Sequence, residues 1–307
     1  MTVTEFRTLA KQVSNWGRWG EDDQRGTLNL ITPDVLKRAG ASIRQGKLFS
    51  LAIDFNRKGP QHGEGRFNPH VYMTAVSRTW GHGEVTACMS DDVVHMPSQC
   101  ATQWDSLAHF GYEGKYYNNV PNTVVTPQGA SRLGIEQVAR AGVASRGVLL
   151  DIARLRGVER LAVEDRVMPE DLDAAEARQG VRVEAGDVLL VRTGHITVFT
   201  RDGSREAMTG PQPGLHMRCA QWFRDRDVAA VAADNLAVEP LPPQPELPLP
   251  LHMLCLRDMG LIFGEFFDLE ALAADCAADG QYEFFFTAPA LPVTGAVGAA
   301  INPLAIK

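Results

Sequence analysis

The densest run of chemically capable side chains lies between residues 98 and 109, in SQCATQWDSLAH. Gln99, Gln103, Asp105 and His109 follow the spacing Gln-x3-Gln-x-Asp-x3-His. An Asp near a His orients the imidazole and stabilises its charged form, as a general base requires. The four side chains are therefore candidates for one wall of a pocket. The alternative is a loop whose polar side chains cap its own turns.

The spacing also indicates how these groups would be presented. Gln103 and Asp105 are two residues apart, so an extended backbone points both to the same side. Groups four residues apart converge across a helical turn or a tight loop. Three aromatic residues flank the motif, Trp104, Phe110 and Tyr116. They are candidates for a substrate-binding wall, with ordinary packing as the alternative.

The elements around this segment alternate between helices and short apolar strands, a pattern typical of an α/β fold. Thr32 followed by Pro33 predicts a helix N-cap with Pro at the first helical position, and Met168-Pro169 opens a second helix that ends at Gly180. Segment 91–122 has little periodicity and is expected to be a functional loop system. Strands are predicted at 48–55, 71–79, 84–89, 146–152, 187–193, 228–233, 260–264 and 282–287, and further helices at 134–141, 214–226, 251–257 and 268–278.

Composition narrows the function classes. The chain has 307 residues and a formal net charge of −7, which excludes the basic footprint of a nucleic-acid-binding protein. Its five cysteines are widely spaced without a CxxC pair, so reduced thiols are expected rather than a disulfide framework. The sequence shows neither a signal-peptide pattern nor an apolar run long enough for a membrane span. We expect a cytoplasmic protein with no membrane partner.

The motif resembles the signature of the cyclase family, which includes bacterial kynurenine formamidase and isatin hydrolase. That signature reads His-x-Gly-Thr-His-x-Asp-x-Pro-x-His. In this chain Thr102, Asp105 and His109 match the signature, whereas Gln99 and Gln103 stand where the family has its two metal-binding His residues. The chain is therefore similar to a longer member of the family with an altered ligand set.

Other parts of the sequence extend the resemblance. His252 and Glu265 fall on a second family element, a His followed about a dozen residues later by a Glu ahead of a helix. Longer family members also resemble, in order, the segments WGEDDQRGTLNLIT, GVLLDI, GDVLLVRTG, ADNLAVE and the tail FFFTAPALPVTGAVGAAINPLAIK. Their order and spacing carry more weight than any one of them.

The resemblance implies a fold and an assembly. The fold would be a compact α/β domain spanning 1–307, with a β-barrel-like core of mixed strands surrounded by helices. Residues 1–46 would form an N-terminal arm and a helix that pack on this domain. Family members are dimers or tetramers, so a homodimer or homotetramer is expected.

The resemblance also implies hydrolysis of a small cyclic or aromatic amide, formamide, lactam or lactone. His109 would act first as general base and then as proton donor. Asp105 and Glu265 would hold a water or a weakly bound divalent metal, and His252 would complete the catalytic group. Gln99 and Gln103 would ligate the metal weakly or bind the substrate.

The two Gln residues leave the metal question open. An amide oxygen is a hard, neutral and weak donor, whereas zinc prefers imidazole, thiolate or carboxylate ligands. A metal held by Gln99, Gln103, Asp105 and Glu265 would therefore be manganese rather than zinc. Without a metal, the Asp105–His109 pair would serve a lyase, isomerase or cyclase. A third hypothesis is a non-catalytic protein that binds a small molecule.

Overall fold

The computed structural model of the chain describes residues 2–62 and 65–307. Its strands are β1 Leu48–Ser50, β2 His70–Trp80, β3 Ala87–His95, β4 Gln103–Asp105, β5 Val125–Thr126, β6 Gly129–Ala130, β7 Ala144–Asp151, β8 Arg166–Val167, β9 Val188–Arg192, β10 Gly214–Leu215, β11 Ala230–Ala233, β12 Ile262–Glu265, β13 Glu283–Thr287, β14 Gly298–Ala300 and β15 Leu304–Ile306. The α-helices are α1 Val3–Val13, α2 Pro33–Gly40, α3 Ile135–Ala141, α4 Ile152–Leu155, α5 Pro169–Gln179, α6 Thr197–Thr200, α7 Arg205–Thr209, α8 Cys219–Asp225, α9 Pro250–His252 and α10 Glu270–Asp279. A π-helix, Met253–Met259, continues α9, and short 3₁₀ turns cover Gly26–Leu30, Tyr117–Asn119 and Asn122–Val124.

A mixed nine-stranded sheet organises the described part of the chain, in the order β1-β15-β13-β7-β9-β11-β12-β4-β14. Its four central strands, β7, β9, β11 and β12, run parallel, and the strands on either side of them pair antiparallel. The sheet curls into a half-barrel with helices around it. The predicted α/β class and mixed barrel-like core are therefore confirmed.

Side chains of the central strands alternate between the two faces of the sheet, and each face packs against its own apolar cluster. On β9, Leu189 and Val191 pack into one apolar cluster, whereas Val188 and Leu190 pack into a second. All four side chains are fully buried. A strand buried on both faces carries a continuous apolar run, which is why DVLLVRT contains no polar alternation.

Local signals place several helices where the sequence predicts them. The Thr32 hydroxyl accepts a hydrogen bond from the Val35 N–H at 3.3 Å and starts α2. Gly180 ends α5 in the left-handed conformation with φ 64°. The strand predicted at 48–55 is shorter, because only Leu48–Ser50 pairs continuously with β15 before the chain crosses to other contacts.

The N-terminal residues are fastened to the end of the π-helix. The Asn15 side chain donates to the Met259 carbonyl at 2.9 Å, and the Trp16 indole N–H donates to the Arg257 carbonyl at 2.7 Å. Arg18 adds a two-pronged ion pair with Asp227, at 2.6 and 2.7 Å. The N-terminal segment thus braces the C-terminal end of the continuous helix formed by α9 and the π-helix, Pro250 to Met259.

Strands β2 and β3 form a separate two-stranded sheet, which we call the ribbon (His70–His95). The strand predicted at 71–79 lies within β2, but the strand predicted at 84–89 overlaps β3 only at 87–89, and β3 continues into the segment 91–122 predicted as a loop system. The sequence also does not show that the two strands pair apart from the main sheet. Among the described residues, no helix is long and apolar enough to cross a membrane.

Candidate active site

The site is built on β4, the short strand near one edge of the main sheet. Gln103 and Asp105 point to one side of it, as expected from their spacing, and both are fully buried. Trp104 points to the opposite side, where its indole N–H donates to the Ala288 carbonyl at 2.8 Å. The prediction of a substrate-binding role for Trp104 is not supported by this position, because the ring packs in the core against Phe267 and Phe286.

The neighbouring strand β12 brings Glu265 directly opposite Gln103. The Gln103 amide nitrogen donates to Glu265 Oε2 at 2.7 Å and lies 3.4 Å from Asp105 Oδ1. A single carboxamide therefore bridges two carboxylates on adjacent strands. On the opposite face of the same pair of strands, Gly264 makes room for two rings, since a Cβ there would lie 2.7 Å from the Trp104 ring and 2.7 Å from the Phe267 ring.

His109 lies beside Asp105 after a tight turn in which its N–H donates to the Ser106 carbonyl at 3.0 Å. Its Nε2 is 3.7 Å from Asp105 Oδ1, and the His109 side chain retains 19% of its exposure. Burial lowers the pKa of His109 below its ordinary value, against the opposing pull of the Asp105 charge. The lowered pKa favours the neutral imidazole near pH 7, and the side chain remains partly exposed.

A second histidine faces the same carboxylates from α9. His252 Nε2 is 3.4 Å from Glu265 Oε1, and its Nδ1 is 2.6 Å from Glu239 Oε1. The Glu239 carboxylate also accepts the backbone N–H groups of Leu251 at 3.0 Å and His252 at 2.8 Å. Glu239 therefore fixes both the start of this helix and the orientation of the imidazole.

Burial and charge shift the acid–base behaviour of the site. Burial raises the pKa of Asp105 to about 6, although the neighbouring His109 lowers it. Burial opposes charge on His252, but its hydrogen bonds to Glu239 and Glu265 outweigh this effect and raise its pKa to about 10. The site thus combines a charged imidazole, a neutral imidazole and closely spaced carboxyl groups.

Two buried oxygen atoms in the site, Gln103 Oε1 and Asp105 Oδ2, have no hydrogen-bond partner among the described residues. Both are acceptors, so a ligand that meets them carries hydrogen-bond donors or positive charge. Ligand atoms of Asp105, His252 and Glu265 also lie within 4.8 Å of one another. Two carboxylates and one imidazole are a donor set that fits a divalent cation.

The remaining predicted residues lie around this centre. The Phe110 ring is half-buried, with its centroid 5.5 Å from that of His252, so it borders the site. Tyr116 is half-buried and packs on Gly111, where a Cβ would lie 2.7 Å from its ring. Gln99 packs on edge strand β14, since a Cβ at Gly298 would lie 2.4 Å from its amide nitrogen. His252 joins Asp105 and Glu265 in the cluster of possible ligand atoms, and Gln99 packs on Gly298, the residue of β14 that pairs with Asp105.

Glu239 is a site residue that the sequence did not indicate as a candidate. Its segment, ADNLAVE, is notable there only for a general resemblance. His252 follows it by thirteen positions across a proline-rich loop, and no spacing rule connects the two. The contact depends on how that loop returns the chain to the sheet.

Comparison with known proteins places this geometry in a family. The family model Cyclase, described as a putative cyclase, matches residues 50–240, more than half of the chain. The chain belongs to the cyclase family. The resemblance carried by residues 99–109 is thus confirmed. No curated protein sequence matches the chain.

Solved structures agree with this assignment. The crystal structure of a novel cyclase is 37% identical, covers 97% of this chain and 99% of its own, and superposes with a TM-score of 0.88. An isatin hydrolase bound to the product analogue thioisatinate is 15% identical, with 89% and 97% covered and a TM-score of 0.65. Isatin hydrolase A from Ralstonia solanacearum is 18% identical, with the same coverages and a TM-score of 0.60. The two isatin hydrolases share the cyclase fold with this chain.

Proposed function

We propose that this protein hydrolyses a small cyclic or aromatic amide, formamide, lactam or lactone, with His109 as general base. The observation that carries the proposal is the pairing of Asp105 with a neutral, partly open His109 beside a second, carboxylate-held histidine. Membership of the cyclase family and the fold shared with isatin hydrolases support a hydrolytic reaction.

The chain's own groups account for the proton transfers. His109 takes a proton from water as the water oxygen attacks the carbonyl carbon. When the carbon–nitrogen or carbon–oxygen bond breaks, His109 returns that proton to the leaving atom. Asp105 stabilises the imidazolium between these two steps. The products are a carboxylic acid and an amine or alcohol, joined in one molecule where the substrate is cyclic.

Asp105, His252 and Glu265 would hold a divalent metal once His252 gives up its Nε2 proton, because an imidazole binds a metal only in its neutral form. When bound, the metal would polarise the carbonyl and lower the pKa of water. Glu239 keeps His252 Nε2 turned toward the site. The Gln103 amide nitrogen donates toward the same carboxylates and cannot itself bind a metal. It would therefore compete with a metal for these oxygen atoms, and we expect the metal to bind weakly. The preponderance of oxygen donors favours manganese over zinc.

The carboxamide bridge also favours a second candidate function. The Gln103 amide group donates hydrogen bonds toward both Asp105 and Glu265. These hydrogen bonds partly offset the negative charge of the two carboxylates without a metal. Under this alternative, Asp105 and His109 move a proton in a lyase, isomerase or cyclase reaction that adds no water. The mass of the product separates the two proposals.

The test is turnover of a panel of lactams, formamides and lactones, monitored by mass spectrometry. We expect a product heavier than its substrate by one water. His109→Ala should lower kcat by about 10²- to 10⁴-fold, because a general base contributes that much. The matched control is His82→Ala, an exposed histidine in the turn of the ribbon. Equal activity of His109→Ala and wild type, or a product of unchanged mass, would contradict hydrolysis by His109.

A further inference from the structure

A cavity of about 540 Å³ lies between α1, the loop that follows His109 and the end of the π-helix. Its volume is within the range of sites that bind small molecules, roughly 300–1,000 Å³. Helix α1 lines one side with residues three or four positions apart, which therefore share a face of the helix. The residues used below are Arg7, Ala10 and Lys11 from α1, and Trp16, Tyr112 and Arg257 from the other walls.

The inner wall of the cavity is a cation packed against two aromatic rings. The guanidinium carbon of Arg257 lies 4.6 Å from the ring centroid of Trp16 and 4.0 Å from that of Tyr112. Its Nη1 donates to the Tyr112 hydroxyl at 2.9 Å, and only 13% of the Arg257 side chain is exposed. Stacking and hydrogen bonding together fix this group. The wall is thus a rigid, largely flat surface with aromatic character.

Positive charge exceeds negative charge among the residues that line the cavity. Arg7 pairs with Glu113 at 2.7 Å, and Arg257 pairs with Asp258. Lys11, exposed on α1, is then the lining cation for which the described residues provide no carboxylate partner. Three cations and two carboxylates leave one net positive charge, in a chain whose formal net charge is −7. The cavity therefore favours an anion.

We propose that this cavity is a second ligand site, which takes a small aromatic carboxylate. The carboxylate pairs with Lys11, and the ring packs against Trp16 and Tyr112, with Ala10 providing room beside them. An inorganic anion would meet the charge but leave the aromatic wall uncovered. The proposal is independent of the reaction at His109, because that residue does not line the cavity.

Short stretches of chain connect the cavity to both histidines of the candidate active site. Tyr112 follows His109 by three positions, and Arg257 follows His252 by five positions in the continuous helix Pro250 to Met259. Segments of π-helix are rare and occur frequently at functional sites. A ligand that packs on Arg257 therefore stabilises the helix that presents His252 to Glu265.

Isothermal titration calorimetry of the full chain with benzoate tests the site, with benzamide as an uncharged probe of the same shape. We expect benzoate to bind wild type and His109→Ala equally, and benzamide to bind about 10-fold more weakly, because it lacks the charge that Lys11 recognises. Lys11→Glu should weaken benzoate binding by about 10-fold or more for the same reason. Ala10→Trp should prevent binding by filling the cavity.

The matched control is Lys37→Glu, the same charge reversal at an exposed residue of α2, and it should bind benzoate as the wild type does. Circular dichroism reports whether each variant is folded. The proposal would be overturned by a wild type that does not bind benzoate, or by benzoate affinity that is unchanged in both Lys11→Glu and Ala10→Trp. Benzamide or inorganic phosphate binding as tightly as benzoate would also overturn it, since the site would then not recognise both charge and ring.

Hydrogen exchange locates the bound ligand. With saturating benzoate, amides of residues 250–259 should exchange more slowly in wild type, whereas those of Ala10→Trp should not change. Slower exchange confined to residues 99–109 and 262–265 would assign benzoate to the candidate active site and contradict a second site.

Discussion

At position 103 a carboxamide provides contacts that a single neutral imidazole cannot. Its nitrogen donates toward two carboxylates at once, and its oxygen remains free as a buried acceptor. A neutral imidazole has one N–H and one lone pair, so it would leave one carboxylate without a donor or bind a metal through its lone pair. Residue 103 therefore determines how readily the Asp105, His252 and Glu265 cluster accepts a cation.

This role predicts a change in metal preference. Gln103→His should raise the affinity for zinc by about 10- to 100-fold, because an imidazole replaces a group that competes for the carboxylates. Competition titrations of manganese against zinc measure the shift. Gln128→His, at an exposed residue, is the matched control and should change neither affinity. Unchanged zinc binding in Gln103→His would show that residue 103 does not control the cluster.

Local rules predicted some of the site residues and missed others. The shared direction of Gln103 and Asp105 follows from the two-residue period of a strand, which the sequence displays directly. The same period places Trp104 on the opposite face, yet the three aromatic residues near the motif could not be sorted without knowing which face is the core. Glu239 and His252 meet only through the return of a proline-rich loop, so nothing in their separation predicts the contact.

At the scale of elements, the ends of β9 and β11 are joined by a buried carboxylate. Asp234 accepts the backbone N–H groups of Thr193 at 2.9 Å and Gly194 at 2.6 Å, together with the Thr193 hydroxyl at 2.6 Å. Burial raises the pKa of Asp234 to about 6, although its hydrogen bonds oppose the shift. The folded chain thus holds this proton more tightly than the unfolded chain does.

A raised carboxyl pKa predicts a contribution to stability that is present at low pH and is lost as the pH rises. Between about pH 4 and 6, Asp234 should lower the free energy of unfolding by about 1–3 kcal/mol as it ionises. Asp234→Asn should remove this part of the pH dependence, whereas Asp225→Asn, at an exposed residue of α8, should not. Urea unfolding at pH 4.5 and pH 7 measures the difference, and equal pH dependence in Asp234→Asn and wild type would contradict the assignment.

Element boundaries show where sequence periodicity stops being informative. The apolar runs of β7, β9 and β11 are long and continuous, and the structure has strands at those places. The predicted helix at 251–257 is helical but is mostly a π-helix, whose wider turns depend on packing rather than on residue pattern. The sequence predicts β2 and only the first residues of β3, and it does not show that these strands leave the main sheet, because residue pattern reports burial preference and not pairing partner.

At the scale of the whole molecule, the two larger apolar clusters depend on one sheet. Neighbouring residues of β9 belong to different clusters, with Leu190 in one and Val191 in the other, and both side chains are fully buried. Neither cluster can separate from the sheet without exposing the other. The single domain predicted from the sequence would therefore unfold as one cooperative unit.

Thermal unfolding followed by calorimetry tests this cooperativity. Leu190→Ala should cost about 2–5 kcal/mol and Val191→Ala somewhat less, and both should move the same single transition to lower temperature. Val158→Ala, at an exposed residue, should leave it in place. Two transitions, each sensitive to only one of the buried substitutions, would show that the clusters fold as separate units.

The division of β4 into two faces has a consequence for redesign. Trp104 anchors the strand from behind through the Ala288 carbonyl, while Gln103 and Asp105 project forward from the same three residues. The anchoring contacts and the reacting groups are therefore carried by different side chains. New chemistry can be installed at the front of this strand, one side chain at a time, while the fold retains the attachment that keeps the strand in register.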